Sequence, residues 1–122
     1  MRVRRFEDLI AWQKARALVR DVYRATEKRT VYPDYPFVDQ LRASAVSAMA
    51  NIAEGFERGS ATEFCRFLTI AKASCAELRS HLYVGLDVGA ITDAEFAHLL
   101  SLAEEVARII GGLRASVARR RA

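Results

Sequence analysis

Residues 40–58 read QLRASAVSAMANIAEGFER, and this stretch decides the fold. From Ala43 to Ala53 it carries no charged side chain. A surface helix ordinarily shows a polar face on every turn, whereas this one offers only small or neutral side chains over about three turns. Such a helix is buried on more than one side, and in a chain of 122 residues that burial favours a second subunit. The stretch therefore predicts a helical protein that assembles with itself.

Two stripes run along this predicted helix. Polar residues recur at steps of three and four, which places them on one narrow face; they are Gln40, Ser44, Ser47, Asn51, Glu54 and Arg58. An apolar stripe runs beside them through Val38, Leu41, Ala45, Ala48, Ile52 and Phe56. The polar stripe is open to two interpretations, a hydrogen-bonded seam or solvated face within the fold, or a seam facing another subunit or a ligand. Ser74 and Glu77 share a stripe on the following helix and are the candidate partners of this polar seam.

Hydrophobic periodicity predicts four helices and no strands. The predicted helices cover residues 6–28, 37–56, 61–86 and 93–117. Pro33 and Pro36 exclude a continuous helix between the first two, and Tyr32 and Tyr35 are expected to pack onto the end of the bundle. Because short loops join the last three helices, neighbouring helices are predicted to be antiparallel. The sequence thus predicts an all-α, up-down-up-down four-helix bundle in a single domain, residues 1–122.

Helix ends carry recognisable residues. Ser60 with Glu63, and Thr92 with Glu95, have the spacing of capping boxes. Glycines predict the ends of the second helix, near position 55 or 59, and of the third, near position 85 or 89. The pair at 111–112 lies inside the fourth helix, where each glycine costs about 1 kcal/mol, so fraying or a kink is expected there.

Composition excludes several classes of protein. No uncharged run approaches the roughly 20 residues of a membrane span, and no apolar run follows the basic start, so a cytoplasmic protein with no membrane contact is predicted. Cys65 and Cys75 lie about 15 Å apart on one predicted helix, too far for a disulfide within the chain, and are expected to be reduced. His81 and His98 fall on different helices without metal-ligand spacing. No metal and no cofactor is predicted.

Positive charge is concentrated at the two ends of the chain. The net charge is +4, and six of the basic residues are terminal, namely Arg2, Arg4, Arg5, Arg119, Arg120 and Arg121. Without residues 1–5 and 119–122, 13 basic residues stand against 15 acidic ones. A further basic stripe on the first helix steps by four through Arg16, Arg20, Arg24 and Lys28. These cations form either a solvated surface with solubilising tails or a surface that binds phosphate backbones without sequence preference.

Catalysis finds little support in the sequence. It contains no nucleophile with a base at a recognisable spacing, no glycine-rich phosphate loop and no paired metal ligands. Glu54 is the one carboxylate expected to lie in an enclosed place, where its structural role is a hydrogen bond to Asn51, Ser47 or a neighbouring helix. An enzyme that uses Glu54 as a general acid would need a raised pKa and an aqueous cleft. No enzymatic activity is therefore predicted.

Motifs spread over the chain carry a resemblance. They are Phe6, Asp8, Leu9, Trp12, Ala15, Gln40-Leu41-Arg42, Ala45-Val46-Ser47, Asn51-Ile52-Ala53-Glu54-Gly55, Arg58, Ser60, Glu63-Phe64, Arg66-Phe67-Leu68, Ile70-Ala71, Ser74 and Glu77-Leu78. Together they resemble the four-helix-bundle proteins encoded in intervening sequences of bacterial 23S ribosomal RNA genes, over about residues 6–115. The accessory proteins of diversity-generating retroelements look similar.

The resemblance implies an antiparallel four-helix bundle that assembles as a ring-like homopentamer, with no enzymatic activity attached to it. The similar accessory proteins are basic pentamers that bind nucleic acid and a partner reverse transcriptase. Family members often have a second arginine after Arg42 and a proline in the middle of the second helix, where this chain has Ala43 and Met49.

The prediction is a non-enzymatic homo-oligomer that binds RNA or DNA weakly and without sequence preference. Arg42 joins the stripe on the first helix and the terminal arginines as predicted contacts to phosphate. The alternative is a scaffold that binds a protein partner without nucleic acid.

Overall fold

The computed structural model describes residues 3–27 and 35–121, except for the side chains of Tyr35 and Arg121. Within these ranges all regular structure is helical, with no strand. A single 3₁₀ turn over Phe6–Asp8 precedes four α-helices, which are α1 (Ile10–Ala25), α2 (Tyr35–Glu57), α3 (Ala61–Asp87) and α4 (Asp93–Arg121). The prediction of an all-α chain with four helices is confirmed.

The helices surround one hydrophobic core as a four-helix bundle. Helix α1 contacts α2 and α4, and α3 contacts the same two helices. The largest fully buried side chains come from all four helices and include Leu18, Leu41, Ile52, Leu68, Leu78, Leu82, Leu99 and Ile110. They recur every three or four residues, so each helix turns one apolar face inward. None of the helices in the described ranges is long and apolar enough to cross a membrane.

The first helix is shorter than predicted at both ends. Leu9 adopts an extended conformation (φ −72°, ψ 127°) between the 3₁₀ turn and α1, and its side chain is buried. At the other end the Thr26 hydroxyl donates hydrogen bonds to the carbonyls of Val22 (2.8 Å) and Tyr23 (3.2 Å). The Thr26 amide donates to the same two carbonyls, at 3.1 and 3.2 Å, so the hydroxyl adds a second donor to the group that closes the helix. The predicted end at Lys28 lies outside the described residues.

The second helix begins earlier than the prolines suggested. It starts at Tyr35 and includes Pro36, because proline is tolerated in the first turn of a helix, where its missing N–H has no intrahelical partner. The helix ends at Glu57, and Gly59 follows with φ +79°. Gly59 is thus the glycine that ends the helix, while Gly55 lies inside it. The predicted packing of Tyr32 and of the Tyr35 side chain lies outside the described residues.

The capping box predicted at α4 forms completely, and the one predicted at α3 forms by half, because the Glu63 carboxylate binds Arg66 instead of the Ser60 amide. The Ser60 hydroxyl accepts a hydrogen bond from the Glu63 amide at 3.0 Å. At α4 the bonds are reciprocal, since the Glu95 amide donates to the Thr92 hydroxyl (3.1 Å) and the Thr92 amide donates to the Glu95 carboxylate (2.8 Å). Gly89, with φ +75°, follows the end of α3.

The fourth helix is longer than predicted. It continues unbroken through Gly111 and Gly112 to Arg121, so the expected fraying at the glycines is wrong. Packing explains the difference, because Ile110 and Val117 on either side of the pair are buried in the core and hold the helix in place. Arg119 and Arg120 therefore belong to a helix rather than to a disordered tail.

The two cysteines are free and buried, as predicted. Burial raises the pKa of the Cys75 thiol to about 11, against a smaller opposing effect of the positive charge on Arg79. Cys75 is therefore a protonated thiol at neutral pH and behaves as a small hydrophobic residue of the core.

Candidate nucleic-acid interface and polar seam

The basic stripe on α1 occupies the outward face of that helix. Arg16, Arg20 and Arg24 are exposed, because Leu18 and Val22 turn the opposite face into the core. The three guanidinium groups differ in the groups that surround them. Lys28, the last predicted member of the stripe, lies outside the described residues.

Two of these arginines have partners on their own helix. The Arg16 guanidinium lies 5.7 Å from the centre of the Trp12 ring, within the range of a cation–π contact. The Arg20 Nε donates a hydrogen bond to the Asp21 carboxylate at 3.0 Å, which partly neutralises its charge. Exposed ion pairs of this kind contribute little to stability, so Arg20 remains accessible to an anion.

Arg42 has a structural role in addition to its charge. Its guanidinium lies 4.3 Å from the centre of the Tyr23 ring, and its Nε donates a hydrogen bond to the Thr26 hydroxyl at 2.9 Å. Since Thr26 closes the end of α1, Arg42 ties that end to α2. The sequence contained no sign of this contact, because residues 16 positions apart meet only after the two helices pack.

The arginines at the two ends of the chain are exposed where the structure describes them. Arg4 and Arg5 precede the 3₁₀ turn, and Arg119 and Arg120 lie on the last turns of α4. Arg5 forms two hydrogen bonds with the Glu7 carboxylate, at 2.9 and 3.3 Å, and these bonds raise the pKa of Arg5 and lower that of Glu7. Arg2 and the side chain of Arg121 lie outside the described residues.

A hydrogen bond joins α1 to α4 beside the basic stripe. The Asp21 carboxylate is mostly buried and lies 2.8 Å from the Nε2 atom of His98, 77 positions along the chain. Arg24 and Glu95 line the same open cleft. Burial alone raises the pKa of Asp21, but the hydrogen bonds from His98 and Arg20 outweigh it, and the net pKa lies below the ordinary value of 3.8. Periodicity and spacing do not indicate this pair, because only the packing of α1 on α4 brings it together.

Removing the Asp21 carboxylate is expected to reduce stability in a pH-dependent way. A depressed pKa stabilises the folded state above the ordinary value of 3.8, and this contribution disappears as the pH falls through the lower folded-state pKa. Asp21→Asn should therefore cost about 1 kcal/mol at pH 7 and less at a pH below 3.8, with urea midpoints measured at both.

Glu105→Gln is the matched control, because Glu105 pairs with Lys14 across the same two helices at 3.8 Å with both side chains well exposed. It should change stability by only a few tenths of a kcal/mol at either pH. Equal losses for the two variants at pH 7 would contradict the role assigned to Asp21.

The polar seam between α2 and α3 consists of three side chains. The hydroxyls of Ser47 and Ser74 lie 2.8 Å apart, and Ser74 also donates to the carbonyl of Ile70 at 3.1 Å. The Asn51 amide donates to the Ser47 hydroxyl at 3.1 Å and to the Ser47 carbonyl at 2.8 Å. With Ser74 donating to Ile70, Ser47 donates to Ser74, and each proton has a place. The interpretation as a hydrogen-bonded seam within the fold therefore holds for these residues.

Other predicted members of the seam stand apart from it. The Ser44 hydroxyl is buried and bonds to the carbonyls of Gln40 and Leu41 on its own helix, at 3.1 and 3.0 Å. Gln40 itself is exposed. Within the described residues, neither side chain forms a hydrogen bond across to α3.

Three charged residues predicted for the seam are exposed instead. The Glu54 side chain is 53% exposed and pairs with Arg58 at 2.8 Å, so the expectation that Glu54 is enclosed is wrong. Arg58 also lies 4.8 Å from the centre of the Phe67 ring. Glu77 is 55% exposed and lies 3.6 Å from His81 rather than in the seam. The periodicity predicts that Glu54 and Glu77 share a helix face with the seam residues. Both lie at the edge of that face, and their long side chains extend into solvent.

The pair of serine hydroxyls is expected to stabilise the contact between α2 and α3. Ser74→Ala should cost about 1 kcal/mol in unfolding free energy, since a part-buried hydroxyl loses its partner. In a double-mutant cycle with Ser47→Ala, the coupling should be about 0.5–1 kcal/mol. Urea denaturation gives the unfolding free energies of the wild type, the two single variants and the double variant. Additive losses for the two substitutions would contradict a direct bond.

The outward face of α2 is uncharged over its middle turns. Ala43, Val46 and Ala50 are exposed, with Val46 at 40%, and acidic residues mark the two ends of this face at Asp39 and Glu57. We call the three uncharged residues the α2 outer face. The chain itself therefore buries the uncharged helix on its inner side only.

Groups of three or more histidine, cysteine or carboxylate residues arranged to hold a metal ion do not occur in the part of the chain that the structure describes. Comparison with curated proteins finds no match. The family model of the 23S rRNA-intervening sequence proteins matches residues 7–112. This match covers α1 to α3 and most of α4, including the seam, the α2 outer face and the stripe on α1, and the chain thus belongs to the family of 23S rRNA-intervening sequence proteins.

Proposed function

We propose that this protein is a non-enzymatic homo-oligomer that binds RNA or DNA weakly and without sequence preference. The observation that carries the proposal is that the fold leaves two different surfaces uncovered, the uncharged α2 outer face and the cationic outward face of α1. The first suits contact with another copy of the chain, and the second suits contact with phosphate.

The α2 outer face supports self-assembly. Small side chains allow close approach of another helix, and burial of exposed apolar surface favours association by about 25 cal/mol per Å². A ring of five copies is the arrangement implied by the family resemblance. Five copies would also present each arginine five times, which multiplies weak contacts with a long polyanion.

An antiparallel arrangement of neighbouring helices belongs to the same proposal. Along α2, Phe37, Ser47 and Gly55 occur in ascending order. Their neighbours on α3 are Gly85, Ser74 and Phe67, which occur in descending order. This reversal supports an up-down connection between α2 and α3.

The exposed arginines support binding to phosphate rather than to bases. Arg16, Arg20 and Arg24 follow one another at single-turn steps on one face, and the terminal arginines add to them. Side chains that neutralise phosphates release counterions, which makes affinity strongly dependent on salt and nearly independent of sequence. Exposure of Glu54 and its pairing with Arg58 support the non-enzymatic part of the proposal, because a solvated, paired carboxylate lacks the environment of a general acid.

The test combines mass and nucleic-acid content in solution. Multi-angle light scattering of the full chain, with the absorbance ratio at 260 and 280 nm, gives the protein mass and the nucleic-acid content. The protein mass should be that of several chains at both 50 and 500 mM salt. Nucleic acid should be bound at 50 mM salt and absent at 500 mM. Ala50→Glu should reduce the mass to that of one chain while the helical circular dichroism stays unchanged, since it places a charge in the α2 outer face.

Ala97→Glu is the control for this substitution, because Ala97 is also exposed and lies on α4, away from α2. It should leave the mass unchanged. A wild-type protein that is monomeric at both salt concentrations would refute the assembly. A clean oligomer that binds no RNA or DNA at 50 mM salt would refute the nucleic-acid part and favour a scaffold for a protein partner.

A further inference from the structure

The outward face of α4 has small side chains in its middle, like the α2 outer face, but its ends are basic. Gly112 and Ala115 are exposed there, and a Cβ atom on Gly112 would meet nothing within 4 Å. Arg108 and Arg119, both exposed, lie at the two ends. Steps of four, three and four positions place these four residues on one side of the helix. We call them the α4 outer face; Ala97 lies about three turns before Arg108 and outside it.

The charges at the ends of the two faces are complementary. Asp39 precedes the α2 outer face and Glu54 follows it, 15 positions later, which is about 22 Å along the helix. Arg108 and Arg119 are 11 positions apart, which is about 16 Å. If the middles of the two faces meet, each carboxylate lies only about 3 Å further along the axis than an arginine. An arginine side chain spans that distance whether the two helices run parallel or antiparallel, and Glu57 extends the acidic end by one turn.

These charges remain available to a partner. Asp39, Arg108 and Arg119 form no ion pair within the ranges that the structure describes. Glu54 binds Arg58 at 2.8 Å, but its side chain is still 53% exposed. An acidic face and a basic face of this kind attract each other and fix the register of a contact.

The α2 outer face does not fit a second α2 outer face. Asp39 and Glu54 lie equally far from the middle of Ala43 and Ala50. A two-fold contact with antiparallel helices therefore brings Asp39 of each copy to the height of Glu54 of the other. With parallel helices, each carboxylate meets its own copy. Like charges meet at both ends in either case, and they repel each other.

The outward faces of α1 and α3 are also poorer partners for the α2 outer face. On α1, Arg16, Arg20 and Arg24 follow one another at single-turn steps and are exposed. Their guanidinium groups would be buried against alanine and valine, which is costly for charges without partners. On α3, the exposed residues Glu77 and Asp87 repeat the negative sign of α2. Small side chains together with positive ends occur on α4.

We infer that the α2 outer face of one copy packs against the α4 outer face of a second copy of this chain. This inference rests on the proposed function and names the surface that the other copy contributes. Within one chain, α2 and α4 do not contact each other over the described residues, so a copy can use both faces at once. Such head-to-tail contacts close into a ring or continue as a filament. Arg119 then lies between copies, while Arg16, Arg20 and Arg24 stay available to phosphate.

Chemical cross-linking tests which faces meet. Val46→Cys and Ala115→Cys place thiols near the middles of the two faces, whereas the native Cys65 and Cys75 are buried. Treated with a short bismaleimide, the double variant should form a ladder of covalent multimers on a denaturing gel. Each single variant should remain a single chain, because its thiol faces no second thiol. The wild type, treated in the same way, is the control for the native cysteines.

Charge reversal tests the complementarity of the ends. Arg108→Glu with Arg119→Glu should reduce the mass in light scattering at 50 mM salt to that of one chain, because carboxylates then face carboxylates. Adding Asp39→Arg and Glu54→Arg to that variant should restore the mass of the wild type, since the signs are complementary again. Unchanged helical circular dichroism shows that a loss of mass is not a loss of fold.

The matched control is Arg16→Glu with Arg24→Glu, which changes the net charge equally and should leave the mass unchanged. If the wild type is monomeric, the proposed self-assembly and the inference both fail. If the wild type assembles and Val46→Cys alone cross-links to a dimer, the contact is two-fold, so the proposed function stands and the inference is wrong. If reversal on α4 leaves the mass unchanged, or reversal on α1 lowers it as much, another surface meets the α2 outer face and the inference is again wrong.

Discussion

Ala48→Glu is expected to abolish folding. Ala48 is 0% exposed and lies in the core cluster with Leu41, Ala45 and Ile52 on the inner face of α2. A glutamate there places a carboxylate among apolar side chains without a partner, and an unpaired buried charge costs at least about 4 kcal/mol. Total stabilities of single domains are about 5–15 kcal/mol, so most or all of the stability is lost. Circular dichroism at 222 nm during urea denaturation measures the result.

Ala50→Glu is the natural comparison for that variant, because the two alanines lie two positions apart on opposite faces of α2. Ala50 is exposed, so its replacement should change the free energy of unfolding by no more than about 0.5 kcal/mol when both proteins are compared at a concentration at which neither assembles. The pair separates burial within one chain from burial between chains. A folded Ala48→Glu protein with an unchanged midpoint would refute the assignment of Ala48 to the core.

Gly55→Ala is expected to destabilise the bundle by about 3 kcal/mol. A Cβ atom on Gly55 would lie 2.5 Å from the Cβ of Phe67 and 3.2 Å from the Phe64 ring. The Cβ of Phe67 is fixed to the backbone of α3, so the two helices have to move apart. Inserting even one methyl group into a packed contact of this kind costs about 1–3 kcal/mol or more, and this loss exceeds the gain of up to about 1 kcal/mol from the better helix propensity of alanine.

Gly112→Ala is expected to stabilise the protein, in contrast to Gly55→Ala. Both glycines lie inside helices, but a Cβ on Gly112 meets nothing within 4 Å. This variant should gain about 0.5–1 kcal/mol from propensity and the reduced entropy of the unfolded chain. Urea midpoints of both variants, compared with that of the wild type, measure the two changes in stability. A stabilising effect of Gly55→Ala would mean that α2 and α3 do not approach each other this closely.

The helical core follows from periodicity, and the sequence predicted it well. The stripe through Leu41, Ala45, Ala48 and Ile52 is fully buried, and Ser60 and Thr92 cap their helices at the predicted positions. These features depend on residues within a turn or two of one another. Local spacing therefore contains all the information that they require.

The ends of the helices were predicted less well, for reasons that can be named. The prolines predict a second helix that starts at about residue 37, but Pro36 occupies the first turn of α2, where proline is acceptable. The glycine pair at 111–112 was expected to weaken α4, but packing of Ile110 and Val117 keeps the helix continuous. In each case a local preference of about 1 kcal/mol was outweighed by the position of the residue in the helix or by packing against other helices, and neither can be read from local spacing.

The candidate sites show the same difference between features of one helix and contacts between helices. The sequence indicated the stripe on α1 and the serines of the seam, because members of each set recur on one helix face. It did not indicate the bond from Arg42 to Thr26, the pair of Asp21 and His98, or the approach of Lys72 to α4. Each of these joins different helices, and the rotation and height of one helix relative to another depend on how all the side chains between them pack.

The sequence by itself determined that this protein is helical, which face of each helix is apolar, and where two of the helices begin. Those properties arise from interactions between residues three or four positions apart, which the chain order specifies directly. Only the tertiary structure decided which polar groups meet, that Glu54 lies in solvent and Ala48 in the core, and which cations remain unpaired. These properties depend on distances between helices, and the core packing that sets those distances involves all four helices at once.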